Sequence, residues 1–244
     1  MTDFLVTPQG RRIAYNLIDG QGPAVVFCGG FRSDMSGTKA VALEAWAKAS
    51  GRAFLRFDYS GHGESGGVFE ELTISDWLAD AKAALGLLAG KVVLVGSSMG
   101  GWISLLLSRD MPEKVAGLVT IAAAPDFTED LMWGGWDAET RATLEREGVV
   151  MEPSDYGEPY AITRGLIHDG RNNLVLRAPL ALPFPVRLLQ GTNDDAVPQE
   201  VALRLLAHAE ADDIQLLLVK HADHRFSTPD CLRLIERAVE EVLP

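Results

Sequence analysis

Residues 91–110, KVVLVGSSMGGWISLLLSRD, constrain the fold more than any other stretch of the chain. Val92 to Val95 form an unbroken apolar run, two serines between glycines follow, and a second apolar stretch of helical length comes next. A strand buried on both faces that turns sharply into a helix is the unit of a parallel sheet covered by helices. The same alternation recurs along the sequence. Strands are expected at 3–7, 11–18, 23–28, 52–57, 91–96, 115–122, 185–190 and 213–219, and helices at 38–50, 99–110, 198–208 and 229–242. In TISDWLADAKAALGLLAG, residues Ile74, Trp77, Leu78, Ala81, Leu85 and Leu88 make one stripe of a further amphipathic helix, with Thr73 and Asp76 spaced as a capping box. The first two strands, joined around Gln9-Gly10, read as an antiparallel hairpin and the rest as parallel. The pattern predicts an α/β fold with an eight-stranded, mostly parallel sheet and helices on both faces.

One region breaks the alternation. Residues 126–184 show no convincing strand and end in the proline-punctuated APLALPFP. An irregular insertion of that length between core strands is usually functional. It is read as a helical lid after strand six, with 1–125 and 185–244 as the core.

Composition limits what any motif can mean. A chain of 244 residues, 47% hydrophobic, is long enough for one large core. Its formal charge of -12 repels phosphate backbones and anionic membrane surfaces, so no nucleic-acid partner is expected. No apolar run reaches the roughly 18 residues of a membrane span, and the N-terminus MTDFLVTPQG reads as the first strand, with no signal or transit segment before it. The two cysteines, Cys28 in an apolar run and Cys231 in a helical pattern, make no disulfide framework and read as reduced, which suggests a cytoplasmic location. A monomer or homodimer is expected.

Gly96-Ser97-Ser98-Met99-Gly100 lies where a strand meets a helix, the context in which the central serine of G-x-S-x-G becomes a nucleophile. Ser98 is expected to take a strained positive φ, with Gly96 and Gly100 avoiding collision around it. Its Oγ then stands at a helix N-terminus, where the Met99 N–H can stabilise an oxyanion. A plain glycine-rich turn or a phosphate-binding loop would share the bare motif.

A serine nucleophile needs a base, and the base an orienting carboxylate. Asp194, in LLQGTNDDAVP, and His224, in LLLVKHADHRF, each follow a strand, so both belong to the sheet edge that carries Ser98. Asp195 beside Asp194, and Asp126 after the sixth strand, compete for the role of acid. His221 competes with His224 but is read as ordering the loop. His62, in DYSGHGESGG, is read as a turn residue at the floor of the site, while His168 and His208 are read as surface or helix residues. No HExxH or CxxC spacing supports a metal. The second oxyanion donor should come from the loop after the third strand, Cys28-Gly29-Gly30-Phe31, where the Phe31 amide is the candidate and Cys28 a core residue.

The order Ser, Asp, His with these three motifs resembles the α/β-hydrolase family over nearly the whole chain, from RRIAYNLIDG to the C-terminal helix. GSSMGGW, MEPSDYGEPY, VRLLQGTNDDAVP and VKHADHRFS are similar to a mammalian branch of acyl-protein thioesterases that also cleave acyl glucuronides. The resemblance implies Ser98 as nucleophile, Asp194 as acid, His224 as base, the Phe31 and Met99 amides as oxyanion hole, and no cofactor. It implies an acyl ester or thioester as substrate, with an acylated protein as the larger candidate. In the lid, Phe127, Leu131, Met132, Trp133 and Trp136 form an apolar cluster that either lines a substrate pocket or packs the lid onto the core, and Trp102 reads as core. An amidase or peptidase would share the triad; a non-catalytic ligand-binding member of the fold would keep it under a closed lid. Ser98 argues against a dehalogenase or epoxide hydrolase, which needs a carboxylate nucleophile.

Overall fold

In the computed structural model, which describes residues 2–152 and 159–244, the chain lays down β1 (Asp3–Val6), β2 (Arg12–Ile18), β3 (Gln21–Cys28), α1 (Thr38–Ser50), β4 (Arg52–Phe57), α2 (Ile74–Leu85), β5 (Val92–Ser97), α3 (Met99–Asp110) and β6 (Val115–Ile121). An insertion follows, with a π-type turn at Thr128–Trp133, α4 (Ala138–Glu147), β7 (Val149–Glu152), β8 (Tyr160–Thr163), α5 (Arg164–Gly170) and β9 (Leu180–Ala181). The chain returns through β10 (Val186–Gly191), α6 (Gln199–His208), β11 (Ala209–Glu210), β12 (Ile214–Val219) and α7 (Pro229–Val242). Residues 153–158 of the stretch MEPSDYGEPY lie outside the described residues.

The eight expected strands form one sheet in the order β1-β2-β4-β3-β5-β6-β10-β12. Only β2 runs against its neighbours, pairing antiparallel with both β1 and β4, and the remaining pairs are parallel. The central parallel strands β3, β5 and β6 are apolar without alternation because both faces are covered, as the fully buried successive residues Val25 and Val26 show, whereas the edge strand β12 stays half-exposed. On one face α2, α3 and α6 bury Trp77, Trp102 and Leu205 against Leu94 and Leu118; on the other, α1 and α7 bury Leu43 and Ile235 against Phe54, Val93 and Val119. Each large side chain removed from water contributes about 2 kcal/mol, so both layers are needed to hold the sheet. Helix α2 starts at the expected capping box of Thr73 and Asp76 but stops at Leu85, leaving Leu88 of the sequence stripe beyond its end.

The insertion is not purely helical. β7 and β8 form an antiparallel ribbon, and β9 pairs with β11, where the sequence showed no convincing strand. These strands are two to four residues long and bury one face only, through Val150 and Ile162, too little alternation to stand out.

Along the sheet the chain runs from β3 outward to β4, then crosses back to β5 on the other side. The reversal opens a crevice between the loops that leave the C-terminal ends of β3 and β5, which is where open α/β sheets hold ligands.

Candidate active site

The turn from β5 into α3 is forced. Ser98 has φ 55 and ψ −120, a conformation that costs a residue with a side chain about 1–3 kcal/mol. Main-chain bonds hold it there: Ser98 N–H donates to the Ile121 carbonyl at 2.9 Å, and the Ser98 carbonyl accepts from Gly101 and Ala124. The flanking glycines are required by the main chain rather than by the serine. A Cβ at Gly96 would stand 2.3 Å from the Gly100 carbonyl oxygen, and one at Gly100 would stand 2.0 Å from the Cys28 carbonyl oxygen. Gly100 thus lets α3 press against the end of β3.

Asp194 and His224 reach Ser98 because their two loops are locked together. The Asn193 N–H donates to the Ala222 carbonyl at 3.0 Å, and Gly191 permits the approach, since a Cβ there would meet the same oxygen at 2.2 Å. His224 Nδ1 lies 2.9 Å from Asp194 Oδ2 and its Nε2 lies 3.1 Å from Ser98 Oγ. An ionised carboxylate only accepts, so Nδ1 carries the proton and Nε2 turns its lone pair to the Ser98 hydroxyl. The Asp194 carboxylate is fully buried and saturated: Oδ1 accepts from the Ala196 and Val197 amides at 3.0 and 2.8 Å, Oδ2 also from Gln190 Nε2 at 3.0 Å. Gln190 was missed by sequence reasoning, although a lone amide closing the apolar strand VRLLQ was a usable signal.

The rival residues go elsewhere. Asp195 is exposed. Asp126 is fully buried with φ 58 and accepts from the Val175 and Leu176 amides at 2.8 and 3.1 Å and from Arg177, tying the exit of the insertion to its entrance. His221 has φ 65 and its amide donates to Thr192 Oγ1, as a loop-ordering residue should. His168 is exposed and His208 half-buried, bonded to Glu145 and to the Ala178 carbonyl respectively. His62 lies at the floor of the site, where Nε2 accepts the Arg32 N–H. Among the described residues no group of three or more His, Cys, Asp or Glu side chains is arranged to hold a metal ion, and no helix is long and apolar enough to cross a membrane.

A cavity of about 1170 Å³ opens over Ser98. The loop after β3 forms one wall next to Ser98: a Cβ at Gly30 would stand 3.4 Å from Ser98 Cβ, and Gly30, Phe31, Ser98, Met99 and His224 all line the space. Met99 is the first residue of α3, so its N–H has no partner within the helix. Phe127, Leu131, Met132 and Trp136 line the cavity together with Phe31, Phe69 and Tyr160, giving it an apolar side. Trp133 does not join them. Its ring packs on Trp136 at a centroid distance of 6.3 Å, with the Arg171 and Arg141 guanidinium groups at 4.5 and 5.5 Å from its centroid. The opposite side is polar, formed by Ser33, Thr38, Lys39, Arg225 and Ser227, none of which stood out in the sequence because they sit in loops and at a helix start. Burial pushes the Lys39 ammonium down to about 8 and the Cys28 thiol up to about 11, leaving Cys28 an inert core residue. Trp102 is also core, donating from Nε1 to the Asn173 carbonyl at 3.0 Å.

Residues 25–241 match the sequence model of the Alpha/beta hydrolase family. The chain belongs to that family. Among its relatives, palmitoyl-protein thioesterase ABHD10, mitochondrial, of Bos taurus is 35% identical over 243 residues, 98% of this chain and 79% of the relative. A putative hydrolase from Agrobacterium vitis S4 superposes with a TM-score of 0.96 at 41% identity, covering 100% of this chain and 99% of that one. Alpha/beta hydrolase domain-containing protein 10 from mouse superposes with a TM-score of 0.92 at 33% identity, covering 99% and 97%. These alpha/beta hydrolase relatives correct one expectation. The cytoplasmic location inferred from Cys28 and Cys231 is overturned by relatives named mitochondrial. Buried free thiols mark a reducing environment and do not choose between reducing compartments.

Proposed function

We propose that the chain is a serine hydrolase that cleaves carboxylic esters and thioesters through an acyl-enzyme. The observation that carries this reading is the His224 imidazole spanning Asp194 Oδ2 and Ser98 Oγ at hydrogen-bond distance on both sides. His224 Nε2 takes the Ser98 proton as Oγ attacks the acyl carbonyl, and Asp194 stabilises the imidazolium through Nδ1–H. The Phe31 and Met99 amides donate to the oxyanion of the tetrahedral intermediate. Its collapse breaks the bond to the alcohol or thiol, which leaves with the proton from Nε2. Water then attacks the acyl-serine with His224 again as base, and the acid departs as Ser98 regains its proton. Residues 126–184 act as the lid, with Phe127, Leu131, Met132 and Trp136 against the acyl group and Trp133 holding the lid together instead. The similarity to relatives named palmitoyl-protein thioesterase supports a long-chain acyl thioester, an acylated protein among the candidates, as the substrate of this chain.

The test is labelling by a fluorophosphonate probe of wild type beside Ser98→Ala and His224→Ala, followed by turnover of short and long acyl esters and thioesters. Labelling and turnover by wild type, lost in both variants, is the expected result. An inert wild type, or equal labelling of Ser98→Ala, would remove the assignment.

A further inference from the structure

The loop that would hold the oxyanion is itself under strain. Ser33 N–H donates to the Gly30 carbonyl at 3.2 Å, closing a four-residue turn with Phe31 and Arg32 at its centre. Arg32 has φ 55 at the position where such turns favour glycine or asparagine. The strain is opposed from outside the loop. Arg32 N–H donates to His62 Nε2 at 3.1 Å, and His62 Nδ1–H donates to the Ser60 carbonyl at 3.0 Å. The ring is 4% exposed and packed by Tyr59, Phe69 and Trp77 at centroid distances of 5.8, 5.1 and 5.4 Å. A backbone N–H needs a lone pair to donate to, and a protonated imidazole has none. The bond from Arg32 therefore requires the neutral ring, whereas the Nδ1–H bond to the Ser60 carbonyl survives protonation.

Resting on the hydrolase reading above, we propose that His62 is the positioning residue of the oxyanion loop: by accepting the Arg32 N–H it fixes the turn that carries the Phe31 amide beside Ser98, and protonation of His62 releases that turn. His62 does not touch the reacting atoms and acts through the loop. The groups around it divide in sign. Burial is the largest influence and holds the ring below the ordinary 6.5; the Ser60 carbonyl and the Asp80 carboxylate from α2 oppose it, and the Arg32 guanidinium reinforces it. Tyr59 packs on the ring as a phenol, and Glu70 faces the far side of Arg32 at 2.9 Å. At neutral pH the acceptor is in place; in acid, protonation of His62 removes it.

Steady-state kinetics of wild type, His62→Phe and His62→Gln on a short acyl ester test this, with thermal unfolding followed at each pH and fluorophosphonate labelling alongside. His62→Phe keeps a packed ring but removes the acceptor; kcat should fall about 10- to 100-fold with KM within about twofold, less than the loss of an oxyanion donor outright. His62→Gln, whose amide oxygen can accept but does not titrate, should recover kcat to within about threefold of wild type. The acid limb of log kcat/KM should be steeper in wild type than in His62→Gln, because only wild type carries an acceptor that protonation removes. An unchanged kcat in folded His62→Phe, or superimposable acid limbs in wild type and His62→Gln, overturns the proposal. If His62→Phe does not fold, the acid limbs decide. A wild type that labels while these results fail sinks the role of His62 alone; one that neither labels nor turns over sinks the hydrolase reading and this proposal together.

Discussion

The C-terminal edge of the sheet and the insertion meet over Ser98, but they are fastened differently. At the edge the contacts are main chain to main chain: Ser98 N–H to the Ile121 carbonyl, Thr192 N–H to that of Val219, Asn193 N–H to that of Ala222. The insertion is held by side chains. Asp126 grips the Val175 and Leu176 amides, Trp102 Nε1 the Asn173 carbonyl, and Ser75 Oγ both Asp169 and Asn173. A main-chain lattice leaves few side chains whose loss shifts the candidate triad, Gln190 behind Asp194 among them, whereas the side-chain fastenings of the insertion can be exchanged singly. Chemistry and acyl selectivity should therefore separate under mutation.

The largest expected effect lies at the edge. Ser98→Gly should lower kcat by about 10⁴- to 10⁶-fold. It should also raise the melting temperature by about 2–4 °C, since the φ of 55 costs glycine nothing. Loss of both activity and stability together would mean that the serine supports the turn instead of being strained by it. Asp194→Asn comes next, with kcat about 10⁴-fold lower through the wrong His224 tautomer, while Asp195→Asn should stay within about twofold. Equal losses in the two would reopen the choice of acid.

Asp126→Asn moves the test to the insertion. The carboxylate accepts from two amides and from Arg177, which also pairs with Asp130, so losing its charge should cost about 3 kcal/mol in urea unfolding. Turnover of short esters by the folded fraction should change little, and KM for long acyl chains should rise more than for short ones. A 10⁴-fold loss of kcat would instead make Asp126 part of the chemistry.

The same contrast explains what could be seen in the sequence. Strands such as Val92–Ser97 are buried on both faces, so their apolar runs are continuous and their ends sharp; Ser98 and Asp194 follow two such ends, while His224 follows the half-exposed edge strand Ile214–Val219, legible from its run of leucines. In the insertion, Val149–Glu152 and Tyr160–Thr163 bury one residue in four, leaving hardly any period. Trp133 and Trp136 are three residues apart, and long-range contacts separate them: Arg171 and Arg141 lie over the ring of Trp133, while Trp136 donates to Glu152 and lines the cavity. His62 was legible as a turn residue, but its bond to Arg32 joins positions 30 residues apart, which no local pattern reports.

The smallest expected effect concerns a charge buried in the edge itself. Lys39, near the start of α1, donates from Nζ to the Arg225 carbonyl beside His224. Burial, only partly offset by the Asp223 and Asp194 carboxylates, lowers its ammonium from 10.5 to about 8. Above pH 8 the folded chain has released this proton while the unfolded chain holds it up to about 10.5, so unfolding takes up a proton and stability rises with pH. Cys28 works in the opposite sense: burial raises its thiol from 9.0 to about 11, so between those values the folded chain keeps a proton the unfolded chain has lost, and stability falls. The two windows overlap above pH 9, which leaves pH 8 to 9 to Lys39. A full proton changes stability by about 1.4 kcal/mol per pH unit, and partial titration near the midpoint reduces this to about 1 kcal/mol. Urea unfolding at pH 8 and pH 9 should therefore show wild type gaining about 1 kcal/mol relative to Lys39→Met over that step. Parallel changes in the two proteins would put the ammonium in water and leave the catalytic edge held by its main chain alone.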